Sequence, residues 1–151
     1  MTHHESTDPA VQALIDRAAI GNIIMRYARA VDSRDFDALR ELFTSDAHAK
    51  YGDWFDDSGV DKIIPFVSGV AHFEITQHFF GQPLIEVRGD EAETQTYSNN
   101  HHFYTDDDGE RYAVVQGNLY TQRFVRRDGE WRIADLTLTV LWERQEPAPS
   151  G

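Results

Sequence analysis

The stretch Arg26-Tyr27-Ala28-Arg29-Ala30-Val31-Asp32-Ser33-Arg34-Asp35-Phe36-Asp37-Ala38-Leu39-Arg40-Glu41-Leu42-Phe43-Thr44-Ser45-Asp46-Ala47 decides the reading of this chain. It ends one amphipathic helix and begins another. Upstream, Asp8-Pro9 marks a helix start, because Asp caps a helix and Pro is tolerated at its first position. Val11, Leu14, Ile15 and Ala18 recur at helical spacing, followed by Ile20, Ile23, Ile24, Tyr27 and Val31. Gly21-Asn22 predicts a bend or a break. A second helix is expected from Asp35 as cap through Leu39, Leu42 and Phe43, ended by Thr44-Ser45-Asp46. His48 to Phe55 reads as a short strand, Asp56-Asp57-Ser58-Gly59 as a turn, and Val60 to Val67 as a third helix interrupted by Pro65.

From about Thr76 the hydrophobic period changes to that of strands. Gly89-Asp90, Asp108-Gly109 and Asp128-Gly129 are turn signals between the runs Leu84 to Arg88, Ala92 to Tyr104, Tyr112 to Arg127 and Trp131 to Trp142. The last two runs predict a long hairpin about Asp128-Gly129. Helices first and a meandering antiparallel sheet second define an α+β class. A long sheet must curl and be covered, and the space between it and its helices is a natural apolar pocket.

The chain has 151 residues, which sets an expectation of one domain, placed at 8–145 with flexible tails at 1–7 and 146–151. Hydrophobic residues make up 40% and aromatics 12%, enough for a packed core with room for a pocket. The formal net charge of −12 argues against nucleic acid and anionic membrane surfaces as partners, since both attract Lys and Arg clusters. There is no cysteine, so disulfides, thiolate catalysis and Cys-ligated metals are excluded. The polar start, Met1 to Thr7, contains no apolar signal segment, and no run reaches the ~20 residues of a membrane span. A cytoplasmic protein is the expectation.

Asp32 lies at the predicted C-terminal end of the first helix, where an acidic side chain opposes the helix dipole at about 0.3–1 kcal/mol. A histidine that needs an anion is a reason for it to be there. His78, in Thr76-Gln77-His78-Phe79-Phe80, is the candidate. A carboxylate on one ring nitrogen fixes the tautomer and leaves the other nitrogen as a base. Tyr27 shares a helix face with Ile23, Ile24 and Val31, and about 140° separates it from Asp32 on an ideal helix. The two reach one pocket only if the helix ends or unwinds near Asp32.

The run quoted at the outset resembles the first two helices of SnoaL-like domains, within the cone-shaped α+β barrel superfamily named after nuclear transport factor two. Asp128-Gly129-Glu130-Trp131-Arg132-Ile133 resembles the final hairpin of that group. The nearest resemblance is to its dehydratase and lyase branch, which includes scytalone dehydratase, bile-acid dehydratases and hexachlorocyclohexane dehydrochlorinase. The resemblance implies that Asp32 and His78 form an Asp–His pair inside the cone, that Tyr27 is a catalytic tyrosine, and that His101 assists. Ala134-Asp135-Leu136-Thr137 lacks the pocket arginine of the dehydrochlorinase. The resemblance also implies a homo-oligomer, trimer or dimer.

On a strand, His101 and His102 face opposite ways. Parity groups Tyr97, Asn99, His101 and Phe103 together, and the resemblance implies that this set faces inward, with Trp54 and Phe55 as further substrate-binding wall. No metal is expected, because His72, His78, His101 and His102 match no ligand spacing, and no other cofactor is expected. The reading is a cofactor-independent lyase acting on a small apolar cyclic ketone or enone, such as a steroid or polyketide. An isomerase, a polyketide cyclase, a ligand-binding protein and a dioxygenase small subunit remain open alternatives on the same scaffold.

Overall fold

A computed structural model describes residues 7–149. The expected tail at 1–7 falls almost wholly outside the described residues, as do positions 150 and 151. Helix α1 (Pro9–Ser33) begins as read, with the Asp8 carboxylate accepting from the Ala10 N–H at 2.7 Å. It then runs unbroken through Gly21-Asn22. A lone glycine costs a helix only about 1 kcal/mol, and packing of Ile20, Ile23, Ile24 and Tyr27 on both sides of it holds the helix straight on. The first turns do not share that burial: Val11, Leu14 and Ile15 are exposed.

Helix α2 (Phe36–Glu41) is capped by Asp35, whose side chain accepts from Ala38 N–H. Strand β1 (Phe43–Tyr51) starts earlier than read, so Phe43 to Asp46 belong to the sheet and not to a helix end. Strand β2 (Phe55–Ser58) folds back on β1, and helix α3 (Val60–Val67) follows with Pro65 inside it. A 3-10 turn at Ser68–His72 leads to β3 (Ile75–Phe80), β4 (Leu84–Arg88), β5 (Glu91–Thr105), β6 (Arg111–Arg127) and β7 (Glu130–Pro147). Strand β7 includes Glu146 and Pro147, so the chain is still in the sheet where a tail was expected to begin.

The seven strands form one sheet in the order β2-β1-β7-β6-β5-β3, with β4 also paired to β5. All pairs are antiparallel except β1 with β7. The β6–β7 hairpin turns at Asp128 (φ 53°) and Gly129 (φ 80°), both left-handed as a tight hairpin turn requires. Register shifts at Gly117/Asn118 and Arg123/Phe124 bend this hairpin. The curled sheet wraps a core that includes Ile20, Ile24, Leu39, Ile63, Phe124 and Leu136. The helices close one side of it, and one end of the cone stays hollow.

Candidate active site

The site is built at the junction of α1 and β3. Helix α1 persists through Asp32 and stops only at Arg34, which takes the left-handed conformation (φ 62°). That conformation is unfavourable for a residue with a Cβ. Three guanidinium bonds offset it: to Val31 O at 3.1 Å, Phe73 O at 3.1 Å and Thr76 Oγ1 at 2.5 Å. Arg34 therefore ties the end of α1 to the start of β3.

Asp32 and His78 meet as the sequence suggested. His78 Nδ1 lies 2.7 Å from Asp32 Oδ1, and the His78 backbone N–H donates to Asp32 Oδ2 at 2.8 Å. The Thr76 hydroxyl donates to Oδ1 at 3.0 Å. Burial opposes ionisation of Asp32. The hydrogen bonds from the His78 ring and backbone, the imidazole charge and Thr76 outweigh it and hold the carboxyl below the usual carboxylate range. A carboxylate only accepts, so Nδ1 carries the proton and Nε2 is the free nitrogen. The His78 side chain is 6% exposed and lines a cavity of about 410 Å³.

Tyr27 lines the same cavity without any unwinding of the helix, because Asp32 reaches the cavity only through His78. The Tyr27 and Tyr51 hydroxyls are 2.9 Å apart. Tyr27 stacks on Phe80 and meets Tyr120 edge-on. Burial pushes all three tyrosine hydroxyls above their ordinary range, so they remain donors.

The expected inward set on β5 is reversed. Tyr97 is 66% exposed, and Asn99, His101 and Phe103 share its outer face. The buried face carries Thr94, Thr96, Ser98, Asn100 and His102. Cross-strand pairing explains this: His78 pairs with Asn100 and Thr76 with His102, and paired residues share a face. Once His78 faces the cavity, Asn100 and His102 must as well. His102, not His101, is thus the second cavity histidine, its ring centroid 5.5 Å from that of His78. Burial, then the His78 imidazole beside it, pushes His102 down to about 4, so it stays neutral at physiological pH. Its Nδ1 and Asn100 Oδ1 are buried without a hydrogen-bond partner among the described residues.

Trp54 lines the cavity at its rim. Phe55 does not reach it, and instead stacks on the cavity residue Phe66 with ring centroids 4.7 Å apart. Tyr51, Asn100, Gln116 and Glu143 are cavity residues that sequence reasoning missed. Among the described residues no cluster of three His, Cys, Asp or Glu is placed to hold a metal ion. Nor, among the described residues, is any helix long and apolar enough to cross a membrane.

The helix-backed cone, hollow at one end, is a fold found across many solved structures. One is a protein from Novosphingobium aromaticivorans, provisionally named a scytalone dehydratase. It has a TM-score of 0.80 at 22% identity, with 94% of this chain and 93% of that one covered. A type 2 hexachlorocyclohexane dehydrochlorinase gives a TM-score of 0.83 at 19% identity, with 94% and 99% covered. These likenesses are of fold. In sequence, an uncharacterised protein of Mycobacterium tuberculosis is 31% identical over 141 residues, 89% of this chain and 92% of its own length. The chain belongs to the SnoaL-like domain family, whose pattern matches residues 12–137.

Proposed function

We propose that this SnoaL-like protein is a lyase of the dehydratase type. Its substrate is a small apolar cyclic ketone or enone, of steroid or polyketide kind, with a hydroxyl β or vinylogous to the carbonyl. The observation that carries the reading is the 2.7 Å contact between Asp32 Oδ1 and His78 Nδ1 at the wall of the cavity. The solved relatives support it by their names, since dehydration and dehydrochlorination are both eliminations.

In this reading His78 Nε2 takes the acidic C–H proton and Asp32 stabilises the imidazolium that results. The Tyr27–Tyr51 hydroxyl pair donates to the carbonyl oxygen as the enolate forms. The β C–O bond then breaks, and the departing oxygen receives a proton from the imidazolium. The products are the unsaturated ketone and water, and no other reactant is consumed. Neutral His102 and Asn100 hydrogen-bond the departing group, which satisfies two polar atoms otherwise unpaired. Isomerisation or cyclisation begins with the same proton abstraction and is told apart by the product.

The test offers β-hydroxy ketones of polycyclic kind to the enzyme and follows enone absorbance. His78→Ala is expected to lower kcat by about 10²–10⁴-fold, the range for a positioned acid–base group. Full activity in that variant would sink the mechanism. We further propose a homo-oligomer, trimer or dimer. Large apolar side chains on the outer face of the sheet support it, among them Phe79 at 68% and Tyr97 at 66% exposure. Light scattering of the purified protein reads the mass directly, and a monomer at micromolar concentration would refute it.

A further inference from the structure

The cavity has an electrostatic character that the proton-abstraction chemistry does not require. No Lys or Arg lines it among the described residues. Its ionisable groups are His78, His102, Glu143 and the tyrosines. Asp32 and His78 together carry no net positive charge in either protonation state of the imidazole. His102, pushed down to about 4, adds none at neutral pH. The tyrosines stay neutral because burial raises them.

Glu143 is the one acidic side chain on the wall, and its placement is specific. It belongs to the part of β7 that extends past the Gly117/Asn118 register shift. There it pairs with Gln116, and the Gln116 amide donates to Glu143 Oε2 at 2.7 Å. Gln116 is itself a buried cavity residue, 9% exposed. An exposed carboxylate is thus drawn to the rim of a chamber whose other polar groups are uncharged tyrosine, amide and imidazole side chains or the charge-compensated Asp32–His78 pair. The protein around it carries a formal net charge of −12. A cleft lined by one sign of charge within apolar walls focuses that field on whatever enters.

We propose that this cavity takes uncharged ligands and rejects carboxylates, with Glu143 as the specificity-determining residue. The proposal rests on the cavity being the substrate site described above, and it narrows the substrate class to neutral molecules. Free acids of the same shape are excluded by repulsion from Glu143 and by the lack of any cation to pair with them. A hydroxyl or amide N–H on the ligand is admitted, because the rim carboxylate and Asn100 Oδ1 are both acceptors.

The experiment compares two probes of equal shape, 2-naphthamide and 2-naphthoate, at pH 7.5 by isothermal titration calorimetry and ligand-observed NMR. The native protein is expected to bind the amide at least roughly tenfold more tightly than the acid, on electrostatic discrimination alone. Glu143→Gln should narrow that gap, and Glu143→Lys should close or invert it. Raising the salt should narrow the gap for the native protein, since a rim charge is screened. Circular dichroism of each variant reports folding, and the exposed position tolerates substitution. Equal binding of acid and amide by the native protein would overturn the proposal. So would an unchanged gap in Glu143→Lys, or failure of the amide to bind at millimolar concentration. The readout is binding to the native protein and the Glu143 variants, so it is scored whether or not His78→Ala abolishes elimination. Loss of the elimination mechanism and loss of charge selection are therefore separate outcomes.

Discussion

Asp32 accepts three hydrogen bonds, from the His78 ring, the His78 backbone and Thr76. Asp32→Asn keeps the shape and removes the charge, so the imidazolium loses its anion. Under the proposed mechanism we expect kcat to fall by about 10²–10⁴-fold with little change in KM, measured on a β-hydroxy ketone that the native protein turns over in the assay proposed above. The folded-state shift of Asp32 is downward, so its contribution to stability is present above the unfolded carboxyl range and lost as pH falls through the folded value. His102 has the same sign at higher pH. Its folded value of about 4 lies below the unfolded ~6.5, so stability is full above about 6.5 and falls toward 4, by at most about 1.4 kcal/mol per pH unit. His102→Gln should flatten that slope in urea midpoints taken from pH 7 to 4.5. A slope unchanged from the native protein would refute the assignment. Asp32 and His78 were legible because a carboxylate at a helix C-terminus asks for a partner. His102 was not, because β5 reverses the usual logic: Tyr97 and Phe103 face outward while Thr94, Thr96, Ser98, Asn100 and His102 face in. The unbroken alternation of small hydrogen-bonding residues was the signal, and cross-strand pairing with His78 was the constraint that could have used it.

Strand β1 shows the same limit in element boundaries. Phe43 to Asp46 read as the end of a helix, yet Phe43 pairs with Ile133 of β7, so a partner distant in sequence overrides local preference. The β1–β2 hairpin is fastened by His48, whose Nδ1 and Nε2 lie 3.0 Å from Asp135 Oδ2 and 2.8 Å from Asp56 Oδ1. The hydrogen bond with Asp56 raises the His48 imidazole; desolvation opposes it, and the hydrogen bond with Asp135 and the charges of both carboxylates tip the balance upward. The sign is opposite to that of His102: this stabilisation is present below the unfolded histidine range and lost as pH rises through the folded value. His48→Gln should remove that alkaline loss, read as Tm against pH from 5.5 to 8.5. Gly117 is a different constraint. A Cβ there would sit 2.1 Å from Trp142 Nε1, so Gly117→Ala must displace the indole. We expect a loss of about 1–3 kcal/mol, as for other overpacked sites, with a shift in tryptophan emission. Both turn residues of the β6–β7 hairpin were legible, because Asp-Gly is among the few dipeptides that fit two successive left-handed positions at little cost.

The fold class was legible for the molecule as a whole, because period and turn chemistry agree along the chain and only their three-dimensional register is hidden. Strand β1 lies parallel to β7, and β7 supplies Ile133, Leu136 and Leu138 to the core. Removing everything after Asp128 should therefore leave a chain with no cooperative unfolding transition in circular dichroism, although every helix remains. A folded fragment would contradict this. The same pairing sets a schedule for a chain emerging from the ribosome. Strand β1 leaves the exit tunnel well before β7, its parallel partner. During that interval Phe43 and Ala49 lack the strand they pair with, so this edge of β1 is open to mispairing until β7 follows.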